Sequence, residues 1–326
     1  MARAVTLITT PWLRDANDVH HLLSDAGIEV RYATRADQAN VADVDAIIAG
    51  TEPIGEEVIQ VAPRLRVISR TGVGYDNIDV EAATRRGIAV CATPGVNRRS
   101  VAEFTLALML NVARQIPANS QALRSGAWKQ DSGIELYGKT IGIVGFGAVG
   151  QTVSDLCGAF GMTVIATDPN VDEAVFAKHG ADQRDLATLL AESDIVTLHL
   201  ALNDDTRNII DAKALNLMKP GAYLINAARG SMVDELALAE ALNSGRLSGA
   251  ALDTFAQEPL PASSPLLAVP NLVVTPHLAG STVEGRHRSG LMAARSVIES
   301  INGGFSTRTV NLVALTSDPQ GQKARK

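Results

Sequence analysis

The feature that most constrains the fold is the segment GFGAVG, residues 145–150, which stands between a predicted strand and a predicted helix. The apolar run TIGIV precedes it, a helical pattern follows to about Phe160, and a second apolar run, MTVIATD, ends in Asp168. In this setting the first glycine allows a tight turn, the second lets a ligand approach the backbone, and the third lets helix and strand pack closely. The helix N-terminus directs its N–H groups at phosphates. The segment therefore predicts a dinucleotide-binding domain.

Asp168 indicates which dinucleotide is bound. It lies 18 residues beyond Gly150, where a carboxylate can accept hydrogen bonds from the ribose hydroxyls and repel a 2′-phosphate. The alternative is that Asp168 only caps the turn before Pro169. No arginine follows in PNVDEAVFAK, so the predicted cofactor is NAD rather than NADP. The predicted cofactor-binding residues of this region are Gly145, Phe146, Gly147, Ala148, Val149, Gly150 and Asp168.

Strands and helices alternate in two rounds along the chain. Its 326 residues suit two domains of ordinary size. Strands are predicted in the first round at AVTLITT, IEVRYA, DAIIAG, RVISRTG and IAVCAT, and in the second at TIGIVGFG, MTVIATD, DIVTLHL, AYLINAA, GAALDTF and LVVTPH. We therefore predict an α/β protein with two doubly wound Rossmann-like domains. Residues 1–99 and 287–326 are predicted to form a flavodoxin-like substrate domain, and residues 100–286 an NAD-binding Rossmann domain.

Two predicted helices lie near the boundaries. The segment SVAEFTLALMLNVARQI, residues 100–116, is apolar on almost every side, begins at a Ser cap and ends before Pro117. Such a helix is buried between layers, domains or subunits. A second helix, from about residue 284, is expected at the domain junction or back on the first domain, and the tail TSDPQGQKARK is expected to be frayed.

Composition excludes several classes of partner. The net charge is −6 and the basic residues are scattered, so neither nucleic acid nor anionic lipid is an expected partner. Only Cys91 and Cys157 are present, which favours buried reduced thiols over a disulfide framework, and no metal site is predicted. There is no signal-peptide pattern and no apolar stretch of membrane-spanning length, so a cytoplasmic protein is expected.

Three charged residues follow three predicted strands of the second sheet. Arg229 comes after AYLI, Glu258 after GAALDTF, and His277 after NLVV, a run that is typical of a buried strand. Pro276 cannot donate a ladder hydrogen bond, so that strand should end there and present His277 at its carboxyl end. A cation for a carboxylate, a group that exchanges a proton and a carboxylate that orients it are what 2-hydroxy acid oxidation requires. Each residue has a structural alternative: Arg229 as a surface cation, Glu258 as a turn carboxylate and His277 as a buried ring.

The chain resembles the D-2-hydroxyacid dehydrogenase family, and within it the phosphoglycerate dehydrogenase branch. The resemblance covers nearly the whole chain and rests on RTGVGYDNID, TPGVNRRSVAEF, GKTIGIVGFGAVG, INAARGSMVDE, GAALDTFAQEPL and PNLVVTPHLAGST, in order. It implies NAD-dependent interconversion of a D-2-hydroxy acid and its 2-keto acid. It also implies that Arg229 binds the substrate carboxylate and 2-oxygen, that His277 donates or accepts the proton, and that Glu258 hydrogen-bonds the ring.

The resemblance implies further site residues in both domains. The substrate carboxylate is expected at backbone N–H groups of TGVG, with an asparagine of PGVN nearby, and the nicotinamide at loops of the second domain. Beside Arg229 and His277, the implied substrate-binding residues are Thr71, Gly72, Val73, Gly74 and Asn97. Beside His277, the implied residues near the nicotinamide are Leu200, Ala227, Asp253 and Gly280, with Asp253 accepting from the carboxamide.

The sequence departs from that branch where a substrate phosphate would be held. An arginine is common just after the strand DAIIAG, but this chain has Gly50 and Thr51 in AGTEPIG. The basic residues that could replace it are Arg70, Arg98, Arg99 and Lys129. We therefore expect 3-phosphoglycerate to be a poor substrate and a smaller or differently substituted 2-keto acid to be a better one.

Two other functions remain open from the sequence. One is oxidation of a phosphorus anion such as phosphite on the same scaffold, and the other is NAD sensing without catalysis. The presence of Arg229, Glu258 and His277 together favours catalysis. The apolar segment 101–116 and the family's habit of pairing through the dinucleotide domain predict a homodimer.

Overall fold

The computed structural model describes residues 3–317, and the chain divides into two compact units. Unit 1 combines Met1–Asn97 with Thr282–Lys326, and unit 2 is Arg98–Ser281. The boundaries predicted from the sequence, at 99/100 and 286/287, lie two and five residues further along the chain. Most of the predicted C-terminal tail, from residue 318 onward, lies outside the described residues.

Unit 1 contains the five strands that the sequence predicts for the first domain. They are β1 (Ala4–Ile8), β2 (Ile28–Tyr32), β3 (Ala46–Ala49), β4 (Val67–Arg70) and β5 (Ala89–Cys91). All pairings are parallel and the spatial order is β2-β1-β3-β4-β5. This is the flavodoxin-like order, in which the winding direction changes between β1 and β3. The predicted flavodoxin-like architecture is thus confirmed.

Helices cover both faces of this sheet. They are α1 (Asn17–Asp25), α2 (Glu56–Gln60), α3 (Val80–Arg85), α11 (Val283–Ile301) and α12 (Leu312–Ser317). One apolar cluster includes Val58, Ile59, Ala82 and Ile47, and the other includes Val19, Ile48, Ala293 and Val297. The predicted helix after His277 is α11, which packs against α1, β3, β4 and β5 and so completes unit 1.

Unit 2 is built on a seven-stranded parallel sheet. The strands are β6 (Thr140–Val144), β7 (Thr163–Thr167), β8 (Ala181–Gln183), β9 (Ile195–Leu198), β10 (Tyr223–Asn226), β11 (Gly249–Leu252) and β12 (Leu272–Val274). Their order is β12-β11-β10-β9-β6-β7-β8, so the winding changes between β6 and β9, as in a Rossmann domain. The six predicted strands are present, and β8 is an additional short strand at the edge.

The helices of unit 2 alternate with these strands. They are α4 (Arg98–Ala113), α5 (Ile116–Arg124), α6 (Ala148–Ala159), α7 (Glu173–Lys178), α8 (Leu186–Glu192), α9 (Ala212–Leu217) and α10 (Glu235–Asn243). α4 packs on α6, β10, β11 and β12, with Leu108, Met109 and Val112 buried. α6 opens within the glycine-rich segment, at Ala148, in agreement with the predicted helix start.

Two sequence predictions for unit 2 are wrong in detail. The helix predicted over 100–116 begins at Arg98 and ends at Ala113, and Pro117 lies in the first turn of α5, a position that needs no N–H donor. Gln115, with φ at 51°, makes the break between the two helices. The strand leading to His277 is only half-buried to exposed, because β12 is the edge of the sheet.

The described part of the chain, residues 3–317, has neither a membrane-spanning helix nor a metal-binding cluster. In that part of the chain, no helix combines the length and the apolar character needed to cross a bilayer. Nor does it contain a group of three or more His, Cys, Asp or Glu side chains placed to hold a metal ion.

Candidate active site

The glycine-rich turn has the backbone geometry that its sequence requires. Gly145 has φ of 97°, in the left-handed region, and a Cβ there would lie 2.6 Å from the backbone of His199 and Leu200. A Cβ on Gly150 would lie 2.2 Å from the carbonyl oxygen of Gly145, so only glycine lets α6 approach the turn this closely. The turn follows β6, the loop of residues 199–200 follows β9, and the two meet where the winding of the sheet changes.

Gly147 leaves open the space that a ligand backbone contact needs. A Cβ built on this residue meets no atom within 4 Å, and α6 begins at the next residue, Ala148. Val149 is half-buried in the first turn of that helix. The N-terminus of α6 therefore presents its N–H groups beside an unfilled space, which fits a dinucleotide pyrophosphate.

Asp168 lies beside the glycine-rich turn, at the carboxyl end of β7. Its Oδ2 accepts from the backbone N–H of Phe146 at 2.9 Å and its Oδ1 from that of Asn170 at 3.0 Å. The side chain of Phe146 is fully buried and stacks on Phe176, so this residue can serve a ligand only through its backbone. The carboxylate is half-buried and each oxygen keeps a second lone pair for a ribose hydroxyl.

A chain of close contacts joins the loops that carry the three predicted catalytic residues. Gly230, next to Arg229, approaches the backbone of Phe255 so closely that a Cβ would lie 1.9 Å from the Phe255 carbonyl carbon. The N–H of Phe255 donates to Glu258 Oε1 at 3.0 Å, and Glu258 Oε2 lies 2.8 Å from Nδ1 of His277. The structure thus brings Arg229, Glu258 and His277 together at the carboxyl ends of β10, β11 and β12.

The electrostatics of this group favour an ionised Glu258. Burial raises the pKa of the Glu258 carboxyl, but the hydrogen bonds from His277 and from the Phe255 amide, with the charges of His277 and Arg229, lower it by more. The net pKa is below the usual value. Because Nδ1 of His277 faces a carboxylate, Nε2 is the nitrogen left to exchange a proton with a ligand.

Arg229 is oriented by its own turn. The side-chain amide of Asn226 donates to the Arg229 carbonyl at 2.9 Å, and its oxygen accepts from the N–H of Ala228 at 3.0 Å. Asn226 is fully buried at the end of β10, and the Arg229 side chain is half-buried, with Nη1 donating to the Ala228 carbonyl at 2.8 Å. Ala227, predicted near the nicotinamide, is 9 % exposed and belongs to the core.

Asp253 holds the loop that carries His277, a contact that the sequence did not predict. Its Oδ1 accepts from the Thr275 hydroxyl at 2.6 Å and from the Leu278 N–H at 2.8 Å, and its Oδ2 accepts from the Ala279 N–H at 2.8 Å. The Asp253 carbonyl also accepts from the N–H of His277 at 2.8 Å.

These contacts explain an unusual backbone conformation. His277 has φ of 54°, a region that costs a residue other than glycine about 1–3 kcal/mol and persists only where the surroundings hold it. Asp253 is fully buried and supplies that hold. Its predicted contact with a carboxamide remains a prediction, as does that of the half-buried Gly280.

His199 is a second histidine at the carboxyl ends of the strands of unit 2, directly after β9. The sequence analysis did not identify it as a candidate. Burial lowers its pKa to about 3, and its Nε2 lies 3.0 Å from the Thr197 hydroxyl. It is therefore neutral near pH 7. Leu200, the predicted neighbour of the nicotinamide, is half-buried directly after it.

Five of the predicted substrate-binding residues lie in unit 1, residues 71–74 at the carboxyl end of β4 and Asn97 in the segment after β5. Thr71 donates through its hydroxyl to the Ala49 carbonyl at 3.0 Å. Gly72 lies under the Arg70 guanidinium, Val73 is 43 % exposed, and Gly74 is half-buried. Within the described residues, the side-chain oxygen of Asn97 is buried without a hydrogen-bond donor, as expected of a group that accepts from a ligand.

The fold and these groups together define a two-unit α/β protein with a Rossmann domain and an Arg-Glu-His set at the edge of its sheet. Residues 106–279 match the family described as "D-isomer specific 2-hydroxyacid dehydrogenase, NAD binding domain". The chain belongs to this family, and residues 106–279 form its NAD-binding domain. The resemblance stated from the sequence is thereby confirmed.

The chain is similar to enzymes of two names, D-3-phosphoglycerate dehydrogenase and glyoxylate reductase. The chain is 43 % identical over 292 residues to D-3-phosphoglycerate dehydrogenase of Mycobacterium bovis, an alignment that covers 87 % of this chain and 55 % of the relative. It is 42 % identical over 270 residues to glyoxylate reductase of Aeropyrum pernix, covering 80 % of this chain and 81 % of the relative. The chain thus spans about half the length of the phosphoglycerate dehydrogenases that it matches.

A solved structure shares the whole architecture. The crystal structure of a glyoxylate reductase from Paecilomyes thermophila superposes with a TM-score of 0.85 at 31 % identity, covering 96 % of this chain and all of that one. The match confirms the predicted fold class.

Proposed function

We propose that this protein is an NAD-dependent oxidoreductase that interconverts a D-2-hydroxy acid and its 2-keto acid. The observation that carries the proposal is the contact between Glu258 Oε2 and Nδ1 of His277, 2.8 Å, in a loop that Asp253 holds in a left-handed conformation. A surface histidine would not need that much support. The relatives named as dehydrogenases and reductases agree with this proposal.

Bound NAD would supply or accept a hydride at the 2-carbon of the substrate. Gly145–Gly150 and Asp168 would hold the cofactor, with the N-terminus of α6 at its pyrophosphate and the Asp168 carboxylate at its ribose. Leu200, Ala227, Asp253 and Gly280 are our candidates for the surroundings of its nicotinamide.

The chain's own residues would bind the acid and move the proton. Arg229 pairs with the substrate carboxylate and 2-oxygen, because a guanidinium presents two parallel donors to such a group. His277 gives the proton on Nε2 to the 2-oxygen during reduction and takes it back during oxidation. Glu258 keeps the ring oriented and stabilises its charged form. The N–H groups of residues 71–74 and the side chain of Asn97 complete the proposed substrate contacts.

The test is a screen of NADH consumption against 2-keto acids. Glyoxylate, hydroxypyruvate, 2-oxobutyrate and 3-phosphohydroxypyruvate are supplied with NADH, and phosphite with NAD is run in parallel. Turnover of at least one 2-keto acid is expected. Oxidation of phosphite with no 2-keto acid reduced, or NADH binding without any turnover, would contradict the proposal.

We further propose that the protein is a cytoplasmic homodimer. Apolar side chains are exposed on α5 and just after it, with Ile116 at 50 %, Leu123 at 58 % and Trp128 at 82 %, and such a surface is typical of a protein interface. Cys91 and Cys157 are free and buried, which suits a reducing compartment. Light scattering at micromolar concentration should give twice the chain mass, and a monomer mass would contradict the dimer.

A further inference from the structure

Glu52 is a charged side chain at the point where the winding of the five-stranded sheet changes. It follows β3, and its Oε1 accepts a hydrogen bond from the hydroxyl of Thr9, which follows β1. In open α/β sheets, ligands bind outside the carboxyl ends of the strands at this change in winding. Thr9 is 1 % exposed, whereas Glu52 is half-buried, so the carboxylate is what this position presents to a ligand.

The backbone around Glu52 is held in place. The side-chain amide of Asn77 donates to the Glu52 carbonyl at 2.7 Å and to the Gly50 carbonyl at 3.3 Å. The carboxylate folds back over Gly50, where a Cβ would lie 2.8 Å from Glu52 Oε2 and 3.6 Å from the Thr10 hydroxyl. Glu52 therefore occupies the space that a side chain at position 50 would enter.

Charged side chains of opposite sign lie at the carboxyl ends of the neighbouring strands β4 and β3. At the end of β4, the Arg70 guanidinium lies so close to Gly72 that a Cβ there would be 2.4 Å from Nη1, which puts a positive charge beside the proposed carboxylate-binding turn 71–74. One strand away, Glu52 puts a negative charge at β3 and β1. The hydroxyls of Thr10, which follows β1, and of Thr71, which follows β4, lie 3.4 Å apart.

On the other side of β4, at the carboxyl end of β5, the polar side chain is less accessible to a ligand. Thr93, which follows β5, is fully buried, and its hydroxyl lies 3.3 Å from that of Ser289 in α11. We therefore expect a substrate whose carboxylate lies at residues 71–74 to extend from β4 towards β3 and β1.

We propose that Glu52 determines substrate specificity by forming an acidic subsite for the distal substituent of the 2-keto acid. The proposal rests on the function proposed above. A carboxylate accepts hydrogen bonds from a hydroxyl or an ammonium group and repels a phosphate or a second carboxylate. The preferred substrate class is thus a 2-keto acid with a small neutral or hydrogen-bond-donating tail.

Two of the basic residues that could have bound a distal phosphate already have acidic partners. Arg99 Nε lies 2.6 Å from Glu103, and Lys129 Nζ lies 2.6 Å from Asp131. Both basic side chains are exposed, as is Glu103, while Asp131 is half-buried. Each pair could be broken at modest cost, but a phosphate would have to compete with a carboxylate already in place. This supports discrimination against phosphorylated acids.

The experiment compares substrates that differ in the charge of the tail. The values of kcat/KM for oxaloacetate and 2-oxobutyrate, and for 3-phosphohydroxypyruvate and hydroxypyruvate, are measured for the wild type and for Glu52→Gln. Removing the charge should shift both ratios towards the anionic member by at least about tenfold. Glu81→Gln, which removes the same charge from an exposed position on α3, should leave both ratios unchanged.

A gain of function guards against misfolding as an explanation. The double variant Gly50→Arg with Glu52→Gln replaces the acidic subsite by a cation and should use 3-phosphohydroxypyruvate better than Glu52→Gln does. A change of less than threefold in the ratios for Glu52→Gln, or an equal change in Glu81→Gln, would overturn the role of Glu52 while the proposed function stands. A wild type that binds NADH but reduces no 2-keto acid would overturn both.

Discussion

The carboxyl ends of the two parallel sheets differ in how firmly their charged groups are held. In the seven-stranded sheet, the carboxylate of Asp253 accepts three hydrogen bonds, and those of Asp168 and Glu258 each make two hydrogen-bonding contacts. In the five-stranded sheet, Glu52 accepts one, from Thr9. Proton transfer and cofactor binding need groups held to within a fraction of an ångström, whereas selection of a substrate tail needs only the right charge in the right place. The carboxyl end of the seven-stranded sheet should therefore tolerate substitution poorly, and that of the five-stranded sheet should accept it.

The substitution expected to show this contrast most strongly is His277→Asn. Loss of a general acid lowers turnover by about two to four orders of magnitude, while NADH binding should stay near the wild-type value. The matched control is His287→Asn, because His287 is an exposed histidine paired with Asp18 in unit 1. Steady-state kinetics with calorimetric NADH titration separate the two effects. Retention of more than half of the wild-type turnover in His277→Asn would show that the ring does not transfer the proton.

Glu258→Gln should have a smaller effect on turnover. The amide can still contact Nδ1 of His277 but cannot stabilise the imidazolium, so turnover should fall by about ten- to a hundredfold. Steady-state kinetics of the variant measure this loss, and a kcat equal to that of the wild type would argue against the role of Glu258.

The same substitution also tests the lowered pKa of Glu258 through stability. A carboxyl with a lowered pKa in the folded protein stabilises it above the usual carboxyl range, and that contribution is lost as the pH falls through the lowered pKa. The difference in unfolding free energy between wild type and Glu258→Gln should therefore shrink on acidification. Denaturation curves at neutral and acid pH measure it, and a difference that widened in acid would have the wrong sign.

Asp168→Ala should weaken NAD binding by roughly ten- to a hundredfold and narrow the preference for NAD over NADP, since hydrogen bonds to a charged group contribute about 1.5–3 kcal/mol. Asp172→Ala is the control, because Asp172 is an exposed aspartate just before α7 whose side chain makes no capping hydrogen bond. Calorimetric titration of both dinucleotides provides the measurement. Tighter NADP than NAD binding by the unmutated protein would rule out the assignment.

The smallest expected effect comes from two glycines of one helix. In Gly150→Ala the new Cβ would meet the Gly145 carbonyl at 2.2 Å, which should destabilise unit 2 by about 1–3 kcal/mol. Gly158→Ala, also in α6, meets no atom within 4 Å and should be neutral or stabilising by up to about 1 kcal/mol. Chemical denaturation measures both. Equal effects would mean that the close approach at the turn is not what requires glycine.

Sequence patterns were sufficient for much of the fold because strong local signals coincide with the tertiary structure. The five strands of unit 1 and the GFGAVG turn were predicted in this way. The strand β8 was missed because ADQ is short and polar and pairs only at the sheet edge. The break between α4 and α5 was placed wrongly because Pro117 suits the first turn of a helix as well as the end of one.

The candidate site shows a similar limit. The sequence indicates that Arg229, Glu258 and His277 follow neighbouring strands. This order alone places them at the carboxyl end of the same sheet. It does not indicate that Asp253 accepts from the backbone of residues 278 and 279, or that the Glu52 carboxylate folds over Gly50. Both contacts depend on how loops from different strands meet, and no local pattern encodes that.

The interrupted course of unit 1 has a consequence for synthesis of the protein. Unit 2 is one continuous stretch, 98–281, whereas unit 1 needs α11, which packs on β3, β4 and β5 and is translated after all of unit 2. On the ribosome, the five strands of unit 1 are synthesised first. An apolar face of their sheet stays uncovered until α11 has been made. Unit 2 is therefore expected to reach its native state first, and a nascent chain stalled before residue 283 should expose the sheet of unit 1 to chaperones.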